Sequence, residues 1–413
     1  MRNLCLLTCM ALALGLSACG GGSSGDSTTV TTPTPPTTPV SPTPPPTPSS
    51  TANQVAITVN QGLSGQPDTP NVSVTICVPG TTTCQTIPNV LLDTGSFGLR
   101  LFASSVTIPL PTRTTGSGTL TNCAQFGLGT TYGSVRLADI KLAGETASST
   151  SIQMIADPNF STAPSTCSNH GALVTSPAAL GSNGILGIGS EPIDCPGCVT
   201  NASAGAYYNC ASSSSCTQTT AAAALQVTNP VVNFPQDNNG ASITLPSVAA
   251  TGSAGVSGTL TFGIGTQANN VLGSAAIYTI TTYAASAQYY GTFTTLFNGG
   301  SNVAFVDSGS NGLFFNDSGI AQCTISRGFY CPASTLNLNA VMQGNNGTNS
   351  SQNFSIANAQ TLFSSSVYAM SNLGGTETVG YFDWGLPFFF GRTIYTAIDG
   401  HSTPGGSGPY IAF

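Results

Sequence analysis

The chain has 413 residues and little charge, seven Lys or Arg against fourteen Asp or Glu, for a formal net charge of −7 at pH 7. Binding phosphate takes clustered positive charge, so nucleic acid is excluded as a partner. Short apolar runs recur from residue 54 onward, which excludes a disordered chain there.

In chain order, residues 1–19 read as an export signal. Arg2 supplies a positive head, and Leu4 to Leu14 form an apolar core too short to span a bilayer. The core runs into Leu16-Ser17-Ala18-Cys19, which resembles the lipobox of bacterial lipoproteins. That resemblance implies cleavage before Cys19 and acylation of its thiol. Several acyl chains make a stable anchor where one does not, so the membrane is an expected partner. Gly20 rather than Asp follows Cys19, which points to the outer membrane of the cell envelope. Residues 20–52 form a tether, Gly/Ser-rich and then Thr/Pro-rich. Polyproline-type chain rises roughly 3.1 Å per residue, so about twenty such residues reach about 60 Å. No pro-segment is read between this stretch and the first strands.

From residue 53 the pattern is β. Val55-Ala56-Ile57-Thr58-Val59, Val72-Ser73-Val74-Thr75-Ile76, Ile243-Thr244-Leu245 and Thr259-Leu260-Thr261-Phe262 alternate or run apolar between turn residues. Helical periodicity is scarce, and Thr219 to Val227 is the best single candidate. The expectation is an all-β protein of two lobes, residues 53–250 and 251–413. Of thirteen cysteines, Cys5, Cys9 and Cys19 fall in the signal. The remaining even number in an exported chain predicts disulfides. Cys77/Cys84 and Cys323/Cys331 read as loop staples. Cys195-Pro196-Gly197-Cys198 with Cys210 and Cys216 reads either as disulfides or as a four-thiolate zinc site. An oxidising compartment favours disulfides, so no metal is expected.

One internal repeat organises the chain. Asp93-Thr94-Gly95-Ser96-Phe97-Gly98-Leu99 and Asp307-Ser308-Gly309-Ser310-Asn311-Gly312-Leu313 share a pattern, each behind an apolar run, Val90-Leu91-Leu92 and Ala304-Phe305-Val306. The distance between the copies implies duplicated lobes, not a short repeat. A third triplet, Asp317-Ser318-Gly319, lacks the preceding strand and reads as a turn.

These paired loops resemble the catalytic loops of pepsin-like aspartic peptidases, in which each lobe supplies one aspartate to a central cleft. Two further segments carry the resemblance. Ile185-Leu186-Gly187 and Phe389-Phe390-Gly391 read as the hydrophobic-hydrophobic-glycine strands that thread each lobe's loop. The resemblance covers residues 54 to 413 and implies a bilobal, all-β acid-protease fold with an interlobe cleft. It implies a peptidase with Asp93 and Asp307 as the dyad and with Thr94, Gly95, Ser96, Ser308, Gly309 and Ser310 in support. Such a site needs no metal and no organic cofactor, and its partner is a peptide or protein held by a monomer. Two carboxylates that close cannot both ionise, so one keeps a proton while the other activates water.

The sequence departs from that family in two places. The family's flap has a tyrosine before a glycine, whereas here Phe126-Gly127 and Tyr132-Gly133 compete for the position. Val135 to Gly144 resembles the strand returning from the flap, and counting back from it favours Phe126. Arg100 stands where the family has an aromatic residue. An arginine paired with either dyad aspartate would favour the alternative reading, a non-catalytic pepsin-like envelope lipoprotein that binds or builds. His170 and His401 carry no motif for a serine or cysteine peptidase. Trp384 and Phe388 to Phe390 read as core.

Overall fold

The computed structural model describes residues 52–413. The signal, Cys19 and all but the last residue of the tether lie outside the described residues. The fold is all-β and bilobal, with a strand-built lobe around each aspartate loop.

Each lobe repeats one local device. In the first, the strand Cys84–Asp93 ends at the aspartate, the chain turns, and Phe97–Phe102 leaves. The strand Gly184–Ile188 then threads between them, parallel to the first and antiparallel to the second. In the second lobe Gly300–Val306 ends just before Asp307, and Leu313–Phe315 leaves. There the threading strand is Tyr381–Trp384, with the same pair of directions. The device works because the inserted strand is buried on both faces, which suits the apolar residues of Gly184–Ile188.

This geometry corrects one expectation. Phe389-Phe390-Gly391 is not the threading segment of the second lobe. Phe389 ends a 3-10 helix spanning Leu386–Phe389, and Gly391 sits in a turn at φ 77° before the strand Thr393–Ala397. The segment that threads is Asp383-Trp384-Gly385. A Cβ on Gly385 would lie 2.1 Å from Gly312 O and 2.7 Å from Ser310 O. A Cβ on Gly187 would likewise meet Phe97 N at 2.6 Å. Each glycine lets its own aspartate loop lie directly on the strand.

The lobes share a central sheet. Gln54–Asn60 pairs with Thr69–Cys77 on one side and with Val256–Phe262 on the other. From there Gly240–Thr244 and Thr393–Ala397 continue the sheet. Along Gln54–Asn60, Ile57 and Val59 are buried while Ala56 and Thr58 face solvent, the alternation expected of a sheet with one covered face. The second lobe is filled by aromatic rings. Phe315 stacks on Phe382 at 5.1 Å and Phe382 on Trp384 at 4.5 Å. Trp384 is fully buried, and its Nε1 donates to Thr295 Oγ1 at 2.9 Å. The core reading of Trp384 and Phe388 to Phe390 agrees with their burial.

The ten cysteines of the described residues form five disulfides: Cys77–Cys84, Cys123–Cys167, Cys195–Cys198, Cys210–Cys216 and Cys323–Cys331. The four thiols that could have made a zinc site are paired with one another. Most of these bonds staple short loops. Cys123–Cys167 spans 44 residues, and closing a loop of that length constrains the unfolded chain by about 4 kcal/mol in the chain-entropy account. The helix candidate Thr219 to Val227 is reduced to the single 3-10 turn Ala223–Leu225. Tertiary bonds win over alanine propensity there. Ala221 N is held by Cys198 O, and the Gln226 side chain accepts from Cys195 N. A short segment does not recover the cost of nucleating a helix against such ties.

Candidate active site

The two aspartate loops meet between the lobes. Thr94 Oγ1 donates to Val306 O at 3.0 Å and accepts from Ser308 N at 2.9 Å. Reciprocally, Ser308 Oγ donates to Leu92 O at 2.8 Å and accepts from Thr94 N at 3.1 Å. Each hydroxyl thus crosses to the opposite lobe's backbone as both donor and acceptor. Thr94 is 9% exposed and Ser308 fully buried, so this lattice is shielded from competing water.

The same loops orient the carboxylates. Asp93 Oδ1 accepts from Gly95 N at 2.8 Å, and Asp93 Oδ2 accepts from Ser96 Oγ at 2.5 Å. Asp307 Oδ1 accepts from Gly309 N at 2.7 Å, and Asp307 Oδ2 accepts from Ser310 Oγ at 2.9 Å. The two carboxyls lie within hydrogen-bonding reach of each other. Burial pushes the Asp93 carboxyl well above the usual carboxylate range, and the charge and hydrogen bond of Asp307 push it further. The donors Ser96 and Gly95 oppose that rise. Asp93 is buried, whereas Gly95 is exposed and Ser96, Asp307, Gly309 and Ser310 are half-buried, so the pair opens to solvent on one side. Close approach needs both glycines. A Cβ on Gly95 would stand 2.6 Å from Asp307 Cγ, and one on Gly309 would stand 2.8 Å from Asp93 Cγ.

Local sequence alone does not make this site. The third triplet has the same short-range bond, Gly319 N to Asp317 Oδ1 at 2.8 Å, yet it is a surface turn. Burial and the bonds across the lobes distinguish the other two.

The flap candidates separate clearly. Gly118–Phe126 and Gly129–Leu142 form a hairpin whose turn is Gly127-Leu128, placing Phe126 and Gly127 at its tip. Gly129 takes φ 152°, and a Cβ there would lie 2.4 Å from Ala172 O. Tyr132 lies back along the hairpin, buried, with its hydroxyl against Thr121 and the sulfurs of Cys210 and Cys216. It is not brought to the tip.

Arg100 has its own partner, which the sequence did not disclose. The guanidinium is 2% exposed and pairs with Asp194 at 2.9 Å. It also donates to Asn122 Oδ1 at 2.6 Å and Gln153 Oε1 at 3.1 Å, and lies 5.8 Å from the Phe126 ring centre. Asn122 Nδ2 and Tyr207 OH complete the donors to Asp194. The arginine therefore braces the hairpin between Asn122 and Phe126 and bonds to neither dyad aspartate. Tyr290, from the second lobe, reaches this side of the cleft beside Phe97, their rings 6.3 Å apart. Burial, with the negative charges of Glu191 and Asp194, pushes its phenol up to about 12.

Comparison with known proteins bears on the fold. The crystal structure of aspartic proteinase from Irpex lacteus matches 87% of this chain and 96% of its own, with a TM-score of 0.51 and 16% identity. At that identity the likeness speaks for the pepsin-like fold alone. No curated protein matches the chain. A family model described as "Protein of unknown function (DUF3443)" matches residues 49–413, and the chain belongs to that family.

Proposed function

We propose that this protein is an aspartic-type endopeptidase, tethered to the cell envelope through acylated Cys19, with Asp93 and Asp307 as its dyad. The observation that carries the reading is the matched pair of carboxyls. They lie within hydrogen-bonding reach, each has the same two donors, and the Thr94/Ser308 lattice fixes one relative to the other. Two such acids hold one proton between them, and the raised Asp93 carboxyl favours keeping it. A water bound between them would lose a proton to the ionised carboxylate as its oxygen attacks a peptide carbonyl carbon. The protonated acid would give its proton to the carbonyl oxygen, forming a neutral tetrahedral diol. As that diol collapses, one of its hydroxyls returns a proton to the ionised carboxylate while the new C=O forms and the C–N bond breaks. The carboxyl that took the water's proton delivers it to the leaving amine, which restores the dyad with its one proton. No redox change occurs, and no group beyond water is consumed.

Arg100 supports this reading by pairing with Asp194, because an arginine on the dyad would hold both acids ionised and prevent proton sharing. Phe126 favours the second reading, a pepsin-like module that binds peptide without cutting it, since a phenylalanine at the hairpin tip has no hydroxyl to donate.

The deciding experiment is cleavage of a mixed peptide library from about pH 3 to pH 7, with and without a pepstatin-type inhibitor. Inhibitable cutting that disappears in Asp307→Asn is expected. A wild type that cuts nothing anywhere in that range, with the variant equally folded, would transfer the site to the binding reading.

A further inference from the structure

After the strand Glu145–Ile155 the chain does not leave the hairpin that ends at Phe126; it crosses it. At the start of the crossing, Ala156 N donates to Tyr132 O at 2.9 Å. Asp157 accepts from Ser134 Oγ and, at 2.9 Å, from Arg136 Nη2. All three partners lie on the return strand Gly129–Leu142. The chain then reaches the outgoing strand, where Cys167 of the short helix Ser165–Ser168 is bonded to Cys123. Thr166 Oγ1 lies 2.9 Å from Tyr208 OH, and Cys123, Tyr132, Phe160, Cys167 and Tyr208 are buried as one cluster. The crossing ends back on the return strand. Thr130 N donates to Ala172 O at 2.8 Å, and Val174 N donates to Thr130 O at 2.9 Å. On its other edge the outgoing strand pairs with Tyr207–Ser212 as far as Asn122, and Cys123 N donates to Ala206 O at 2.8 Å. The part that projects beyond these ties is Ala124 to Leu128, with Gly127 and Leu128 exposed.

We propose that residues 156–174 are a strap that holds this hairpin in one position, with Cys123–Cys167 as its latch. A two-stranded hairpin with no outside partners is marginal in water and opens locally at little free energy. Here both strands have outside partners. The return strand is tied near its start, through Thr130, and further along, through Tyr132, Ser134 and Arg136. The outgoing strand is tied covalently. That bond matters more than one contact among several. With Cys167 fixed to Cys123, a strap whose backbone bonds have opened stays close to its partners, and the high effective concentration makes the bonds re-form. Gly129 fits the same picture. At φ 152°, with a built Cβ 2.4 Å from Ala172 O, it lets strap and return strand lie backbone against backbone. The body of the hairpin is thus preformed, and only its tip is left to respond to a ligand. A peptide bound beneath such a hairpin does not have to order it.

The strap itself does not depend on the peptidase reading; only its effect on turnover does. The test is amide hydrogen exchange in the full chain, comparing Thr130 and Val174 with the central strand Gln54–Asn60. In Cys123→Ala/Cys167→Ala the hairpin amides should speed up at least about tenfold more than those of the central strand, the mark of local opening. Cys77→Ala/Cys84→Ala, which removes a staple elsewhere, should leave that ratio within about twofold. Equal acceleration everywhere would make Cys123–Cys167 a general cross-link and overturn the proposal. If the cysteine variant does not fold, Gly129→Ala carries the test. It keeps the disulfide and forces Ala172 off the return strand, so exchange at Thr130 and Val174 should rise, and unchanged exchange there overturns the strap. On the peptidase reading, the unlatched variant should raise KM about fivefold with kcat within about twofold, because a hairpin ordered only part of the time binds with affinity reduced by that fraction. Faster hairpin exchange with KM unchanged would overturn the claim that the strap preforms the hairpin for a ligand. An inert wild type whose hairpin still loosens in the cysteine variant supports the strap and counts against the peptidase reading instead.

Discussion

A methyl group on Gly95 would point at the Asp307 carboxyl carbon from 2.6 Å, closer than real side chains tolerate. The obstacle is the opposite catalytic candidate, half-buried and bonded on both oxygens, not a flexible side chain that can swing away. Gly95→Ala should therefore displace Asp307 and lower peptide cleavage by about 100-fold, the scale on which small misplacements at a reacting centre act. Gly319→Ala is the matched control. It has the same triplet context, but its added methyl meets only the Asp317 side chain at 3.1 Å on an exposed turn. Steady-state cleavage by both variants, with thermal melts to confirm folding, decides the matter. Equal activity in the two would mean that the approach of one loop to the other does not govern the site. The contrast also shows what a local motif can and cannot convey. The bonds from each glycine and serine back to the aspartate span two or three residues and are legible in the sequence. Which triplets are buried depends on the strand before each one and on the lobe opposite.

At the scale of elements, the hairpin ending at Phe126 is braced by a charge pair that sequence spacing does not reveal. Arg100 and Asp194 are 94 residues apart, and both are nearly inaccessible. Removing one member of a buried pair leaves the other uncompensated, at about 3–5 kcal/mol. Arg100→Met should thus destabilise the protein by about that amount, read as the free energy of urea unfolding. Arg100→Met combined with Asp194→Leu should recover much of the loss, because an apolar replacement of both partners is frequently neutral. A double variant as unstable as the single one would mean that the arginine acts through its bonds to Asn122 and Gln153 instead. The threading strands teach a related lesson. Ile185-Leu186-Gly187 was legible because apolar residues and a glycine coincide with a doubly buried strand. In the second lobe the apolar pattern of Phe389-Phe390-Gly391 belongs to core packing after the strand. The real threading segment is disguised by Asp383, an acid in a position where burial predicts a hydrocarbon. Sequence reasoning thus identifies the fold and the dyad loops, and misses the residues whose roles arise from neighbours far along the chain.

The whole molecule joins its lobes through a sheet and through a small acidic junction beyond the dyad. Asp399, at the end of the central sheet, donates its backbone N–H to Ser190 O at 2.8 Å. Glu191, next in the chain after Ser190, is 2% exposed, with Oε1 lacking a partner. Burial pushes its carboxyl from 4.5 to about 7, and the charge of Asp399 adds to the rise. Asp399 is itself raised by burial. The sign follows from linkage. A carboxyl whose folded pKa exceeds its unfolded value favours the folded state while both forms are protonated, at pH below about 4.5. That contribution fades as pH climbs and is gone once it passes about 7. For Glu191 the change is on the order of 2 kcal/mol, after allowance for the solvent that reaches the junction. Asp68, Asp93 and Asp383 are raised as well, so their contributions run the same way. Asp157 runs the other way. Its bonds to Ser134 and Arg136 lower its carboxyl despite burial, so its contribution holds at neutral pH and is lost in acid. With five acids raised against one lowered, and few cations to repel one another, the molecule should gain stability as pH falls from about 8 to about 5. Glu191→Gln should flatten part of that gain, because an amide keeps the shape of the junction and cannot ionise. Urea unfolding of wild type and variant at several pH values across that span measures the difference directly. Parallel stability curves would place the proton uptake elsewhere, among the dyad acids, and a wild type that weakens on acidification would mean that the ion pairs, Arg136–Asp157 among them, outweigh the buried carboxyls.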